Sequence, residues 1–120
     1  MKHDELMQRL KKIWSMFPDM NTPYETEAEM LSNTKKLLEY AGACIVREAS
    51  PTRRGISDLL VCYNGRFIAI ELKDRIGETS KHQDKFIEKV QAAGGLAQVC
   101  RTLSEVWCLL YSALQEEQAG

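Results

Sequence analysis

No stretch of the sequence approaches the run of about 18 apolar residues that a membrane helix needs, which argues against a membrane span. Met1-Lys2-His3-Asp4-Glu5 leads into no apolar leader core, so a cytoplasmic protein is expected. There is little excess of charge of either sign: the formal net charge is −1. Such a chain does not coat nucleic acid by bulk electrostatics, and any nucleic-acid contact must come from a local patch. Glycine and proline are scarce, seven and three residues, against 28% charged and 44% hydrophobic residues. That composition excludes a low-complexity or disordered chain and suits one domain with one core across the 120 residues. Paired cysteine spacing is also missing. Cys44, Cys62, Cys100 and Cys108 form no C-x-x-C and sit in apolar runs. They are expected to be buried, reduced, small hydrophobes rather than zinc ligands.

What is present is organised around residues 57–74, S-D-L-L-V-C-Y-N-G-R-F-I-A-I-E-L-K-D. Two strand-like runs flank Asn64-Gly65, a strong two-residue hairpin signal. Counting outward from that turn pairs Tyr63 with Arg66, Cys62 with Phe67, Val61 with Ile68, Leu60 with Ala69, Leu59 with Ile70 and Asp58 with Glu71. Side chains alternate along a strand. Asp58 and Glu71 thus leave the same face of neighbouring strands, with Cβ atoms roughly 4.5–5.5 Å apart. Lys73 shares that face. Like charges placed opposite each other destabilise a hairpin. A divalent cation would offset the repulsion; a structural ion cluster at a sheet end is the plainer alternative.

The rest of the chain alternates helical and strand-like patterns. Leu6, Leu10, Ile13, Trp14 and Phe17 recur at helical spacing over residues 4–17, and Pro18 stops the helix. This helix is expected to pack on its own domain, with a dimer contact as the sharper alternative. A second helix runs to Ala41, stopped by Gly42. Its start is open by one turn, because Thr22 and Thr26 each begin a capping box. Residues 43–48 read as a strand and 49–57 as a loop. Both faces of the hairpin are largely apolar, so cover on both sides is expected. Ser80-x-x-Gln83 caps a helix to about Ala93, Leu96–Cys100 is a strand, and Ser104 is expected to cap the last helix. Strand, helix, strand in succession imply a parallel crossover. The order is α, α, β, β, β, α, β, α.

The pattern G-I-S-D-L-L (55–60) followed by E-L-K (71–73) resembles the P-D…(D/E)-x-K core of restriction-endonuclease-like nucleases, with Ser57 where that motif often has proline. From Glu27 to Cys100 it is similar to the VRR-NUC (virus-type replication-repair nuclease) branch. E-x-E-M at 27–30, S-P-x-x-R-G-I-S-D at 50–58, F-I-A-I-E-L-K at 67–73, Gln83 and A-G-G-L-A-Q-V at 93–99 carry the resemblance. It implies an α/β fold: an α-β-β-β-α-β core with a four-stranded mixed sheet flanked by helices, plus extra N- and C-terminal helices. The single domain would comprise a helical arm at 1–20, a catalytic core at 22–101 and a terminal helix at 104–118.

The resemblance further implies a Mg²⁺- or Mn²⁺-dependent endodeoxyribonuclease acting on branched DNA such as Holliday junctions, as a homodimer. Asp58, Glu71 and the Leu72 carbonyl would ligate the metal, and Lys73 would hold the attacking water or stabilise the growing phosphate charge. Glu27 would reach the metal directly or through water, with Glu25 and Glu29 as alternatives because a one-turn shift in the helix start exchanges their faces. Gln83 would support the site. Arg53, Arg54, Arg75, Lys81 and Lys85, with Arg47 and His82 nearby, flank the same hairpin end and are candidates for phosphate contacts. Two other readings stay open: a monomeric flap or single-strand nuclease, and a non-catalytic DNA-binding module on the same fold.

Overall fold

The computed structural model describes residues 1–48 and 58–116, with Arg47, Glu48 and Glu116 described by backbone alone. The elements are α1 (His3–Met16), α2 (Glu27–Ala41), β1 (Cys44–Glu48), β2 (Leu59–Tyr63), β3 (Arg66–Leu72), α3 (Lys81–Ala92), β4 (Leu96–Cys100) and α4 (Leu103–Glu116). The sheet runs β1-β2-β3-β4. The first two pairings are antiparallel and β3–β4 is parallel, so the sheet is mixed, as expected. No helix among the described residues is long and apolar enough to cross a membrane.

The hairpin sets the register. Asn64 and Gly65 have φ of 51° and 76°, the two positive values of a primed turn whose twist matches the strands. The pairs from Tyr63–Arg66 to Leu59–Ile70 are the ones obtained by counting. Alternation then sends Leu59, Val61, Tyr63, Ile68, Ile70 and Leu72 into the larger core, where α1 contributes Leu6, Leu10 and Ile13, α2 Met30, Leu37 and Leu38, and α4 Val106, Leu110 and Leu114. The opposite face is thinner: Ala69 and Ala97 pack under Ile87 and Val90 of α3.

Two expectations fail on that thinner face. Cover on both sides is incomplete, since Phe67 is 44% exposed and Cys62 is exposed. One twelve-residue helix rises only about 18 Å and does not reach the hairpin's far end. The cysteines are not uniformly buried either. Cys100 is buried, but Cys44, Cys62 and Cys108 are exposed. Cys44 and Cys62 lie on the uncovered sheet surface, and Cys108 falls outside the buried α4 positions 103, 106, 109, 110, 113 and 114.

The helix ends follow local chemistry. Phe17, held extended before Pro18 (φ −112°, ψ 125°), ends α1. Thr26, not Thr22, caps α2 by accepting from Glu29 N at 3.2 Å. Thr102 rather than Ser104 caps α4: its hydroxyl accepts from Glu105 N at 3.2 Å, and Glu105 Oε1 accepts from Thr102 N at 3.2 Å. Ser104 lies within the helix, its N–H donating to Met20 O at 2.8 Å.

Gly42 closes α2 at φ 91°. A Cβ there would stand 3.0 Å from Met1 Cε and 3.2 Å from Leu6 Cδ2. Gly42→Ala is therefore expected to cost about 1–2 kcal/mol through the left-handed backbone alone, read as a lower urea midpoint at unchanged m-value.

Candidate active site

The parallel edge of β3 carries the site. Past Leu59 the hairpin register places Asp58 beside Glu71. Asp58 Oδ2 accepts a hydrogen bond from Leu72 N at 2.7 Å, which fixes the carboxylate against the end of β3. Glu71 is completely buried. Its Oε1 accepts from Gln83 Nε2 at 2.5 Å and lies 3.6 Å from Lys73 Nζ. Its Oε2 is buried with no hydrogen-bond partner. Burial first, and the neighbouring Asp58 carboxylate second, push the Glu71 carboxyl up to about 8, against a smaller opposing pull from Lys73.

Lys73 is 9% exposed. Its N–H donates to Cys100 O at 3.1 Å, prolonging the parallel ladder. Its ammonium lies 3.6 Å from Glu71 Oε1 and 3.6 Å from Glu27 Oε1, between the two acids. Glu27 is the first residue of α2, and its position follows from the cap at Thr26. The other two acids of that turn are engaged elsewhere. Glu25 pairs with Arg75 at 3.3 Å. Glu29 accepts from the Thr26 hydroxyl at 3.1 Å.

Gln83 performs two tasks with one amide. Its Oε1 accepts from Ser80 N at 2.8 Å, and the Gln83 main-chain N–H donates to Ser80 Oγ at 3.2 Å, which makes the capping box of α3. That arrangement aims Nε2 at Glu71. The turn after β3 forms the roof. Asp74 Oδ1 accepts from Ile76 N at 3.1 Å and Gly77 N at 2.7 Å. A Cβ on Gly77 would stand 3.2 Å from Lys73 Cδ and 3.5 Å from Glu27 Oε1, so the roof sits directly on the ion pair. Arg101 Nη1 donates to Asp74 O at 2.8 Å and holds the turn from below β4. Sequence reasoning overlooked Arg101 and Gly77; the glycine in D-R-I-G-E was a signal for a tight turn, but the isolated arginine carried none.

The basic candidates spread out. Lys81, His82 and Lys85 are exposed along the start of α3, and Arg75 is exposed but paired with Glu25. Arg53 and Arg54 lie outside the described residues, as does the side chain of Arg47.

Glu71 Oε2 tests whether a metal fits. A buried, ionised carboxylate oxygen with no donor is costly; a proton shared with Asp58 or a cation beside it removes the cost. All the donors on offer are oxygens, from Asp58, Glu71 and the Leu72 main chain, which suits a hard ion. Among the described residues no three His, Cys, Asp or Glu side chains converge on one point.

No protein-family model matches the chain, and no curated protein matches it. A solved VRR_NUC domain superposes with a TM-score of 0.59 at 24% identity, over 71% of this chain and 94% of that one. The chain has the VRR_NUC fold. Nearly all of that domain is thus contained in this chain. The α/β architecture expected from the resemblance, with its four-stranded mixed sheet, is the one observed.

Proposed function

We propose that the protein is a metal-dependent endonuclease that cuts branched DNA, working as a homodimer. The observation that supports this best is Glu71: a carboxylate buried without a donor on one oxygen, beside Asp58 and within reach of Lys73. Likeness of fold to a VRR_NUC domain supports a nuclease in the same direction.

In this reading Asp58, Glu71 and the Leu72 carbonyl would hold Mg²⁺ or Mn²⁺, and Glu27 would reach it directly or through water. Such an ion would supply Lewis-acid polarisation of the scissile phosphate and lower the pKa of the attacking water. Lys73 brings a positive charge, set between Glu71 and Glu27, to the non-bridging oxygens as their charge grows. Gln83 keeps Glu71 Oε1 occupied, which leaves Oε2 as the oxygen that would serve a metal. Exposed Lys81 and Lys85, with Arg53, Arg54 and Arg75, contact backbone phosphates, which position DNA without reading sequence. Substrate choice then rests on DNA shape, and a dimer doubles a small basic footprint.

A cleavage panel of four-way junction, flap, single strand and duplex, run with Mg²⁺, with Mn²⁺ and with chelator, tests the proposal. Cutting of the junction that chelator abolishes is the expected result. Tight junction binding with no cutting in either metal would make the protein a binding module. Light scattering checks the dimer.

Arg101 offers a finer test, because its guanidinium bonds the main chain of the turn over Lys73 at Asp74 O. Arg101→Ala is expected to lower kcat by about tenfold to a hundredfold with little change in KM, and Arg101→Lys to recover part of it.

A further inference from the structure

Outside the proposed nuclease site, the uncovered end of the sheet places two thiols opposite each other. Cys44 on β1 and Cys62 on β2 are direct partners in the antiparallel register, and both are exposed. Parity fixes the kind of pair. Tyr63 and Arg66 close the two-residue turn as a hydrogen-bonded pair. Cys62, one residue back, therefore turns its N–H and C=O toward β1, and Cys44–Cys62 is a hydrogen-bonded pair of that ladder. Such pairs have Cα atoms about 5.5 Å apart, within the span at which disulfides are most often found. The Cβ atoms, about 5.5 Å apart in such a pair, must draw together by about 1–2 Å to reach disulfide spacing. Cys44 is the first residue of β1, where the backbone is least constrained. The pair is open to solvent, and Phe67, the β3 partner of Cys62, is itself 44% exposed.

We propose that Cys44 and Cys62 are a reactive dithiol that closes to a disulfide on exchange with a small-molecule disulfide such as oxidised glutathione. One cysteine thiolate attacks the small disulfide, forming a mixed disulfide and releasing one small thiol. The facing thiolate then attacks the protein sulfur of that mixed disulfide, forming the Cys44–Cys62 bond and releasing the second small thiol. The protein loses two protons and two electrons, and the small disulfide is reduced to two thiols. The new bond ties together the ends of the segment that carries residues 49–57 and Asp58. The other two cysteines cannot do this. Cys100 is fully buried, and burial pushes its thiol pKa upward. Cys108 is exposed but has only that inaccessible thiol near it.

The test uses full-length protein carrying Cys108→Ser, equilibrated with oxidised glutathione, quenched with acid and read by intact mass and peptide mapping. The expected product has lost two hydrogens, carries no glutathione, and yields a peptide cross-linked through Cys44 and Cys62. Adding Cys44→Ser is expected to leave one glutathione on Cys62, and adding Cys62→Ser to leave one on Cys44. Glutathione on both cysteines of the Cys108→Ser protein, a disulfide between two chains, or two thiols left free would each overturn the proposal.

Discussion

Lys73→Met protein is expected to bind junction DNA within a few-fold of wild type and to cut it at least about a hundredfold to a thousandfold more slowly, the loss seen when one preorganised stabilising group is removed. The size follows from where the ammonium sits. Lys73 is 9% exposed and its Nζ lies 3.6 Å from both Glu71 and Glu27, so its charge acts away from bulk water and in one place. Methionine keeps the stem that packs under Gly77 and removes the charge. Lys73→Ala would also empty that space and serves as the harsher comparison. Single-turnover cleavage of a four-way junction in Mn²⁺ measures the rate. Fluorescence anisotropy in Ca²⁺ measures binding. Wild-type cleavage by the methionine protein would remove Lys73 from the chemistry and leave it as the structural partner of two acids.

The hairpin was the most legible part of the chain, because Asn64-Gly65 admits few turns and each strand residue then has one partner. Counting alone put Asp58 beside Glu71. The third acid was not legible from α2 alone. Thr22 and Thr26 are both competent caps, and the choice depends on a tertiary contact: Tyr24 O accepts from Arg75 N at 2.9 Å, which engages that stretch with the turn after β3. With the helix starting at Glu27, only that acid of the three reaches Lys73. The cap of α4 was readable, since Thr102-x-x-Glu105 is a capping box; Ser104 competed with it and is the wrong residue. Exposure of Cys44 and Cys62 was not readable, because an apolar strand looks the same whether or not a crossover helix is long enough to cover it. Gln83 looked like either a cap or a site residue; one amide has enough donors and acceptors to serve both.

Glu71→Gln is expected to stabilise the metal-free protein, increasingly so as pH rises, while abolishing cleavage. The carboxyl is pushed up from its ordinary 4.5 to about 8, chiefly by burial and then by Asp58. Below about 4.5 both folded and unfolded chains hold the proton, and the group contributes no pH dependence. Between those values the folded chain is protonated and the unfolded chain is not, so this group's contribution to stability falls by about 1.4 kcal/mol per pH unit at most. Above about 8 both states are ionised and the loss is complete. Glutamine keeps an oxygen for the Gln83 amide and never ionises, so the difference between the two proteins should widen from pH 5 to pH 9. Urea unfolding at pH 5, 7 and 9 in chelator reads it. A difference that stays constant over that range would mean that Glu71 is ionised throughout, with Lys73 outweighing burial. Mg²⁺ or Mn²⁺ gives the complementary measurement. A bound cation requires the deprotonated carboxylate, so the metal-induced rise in Tm should grow toward pH 8 in wild type and be much smaller in the glutamine variant. Both trends follow from Glu71 Oε2, a buried oxygen that a proton can occupy below pH 8 and a metal above it.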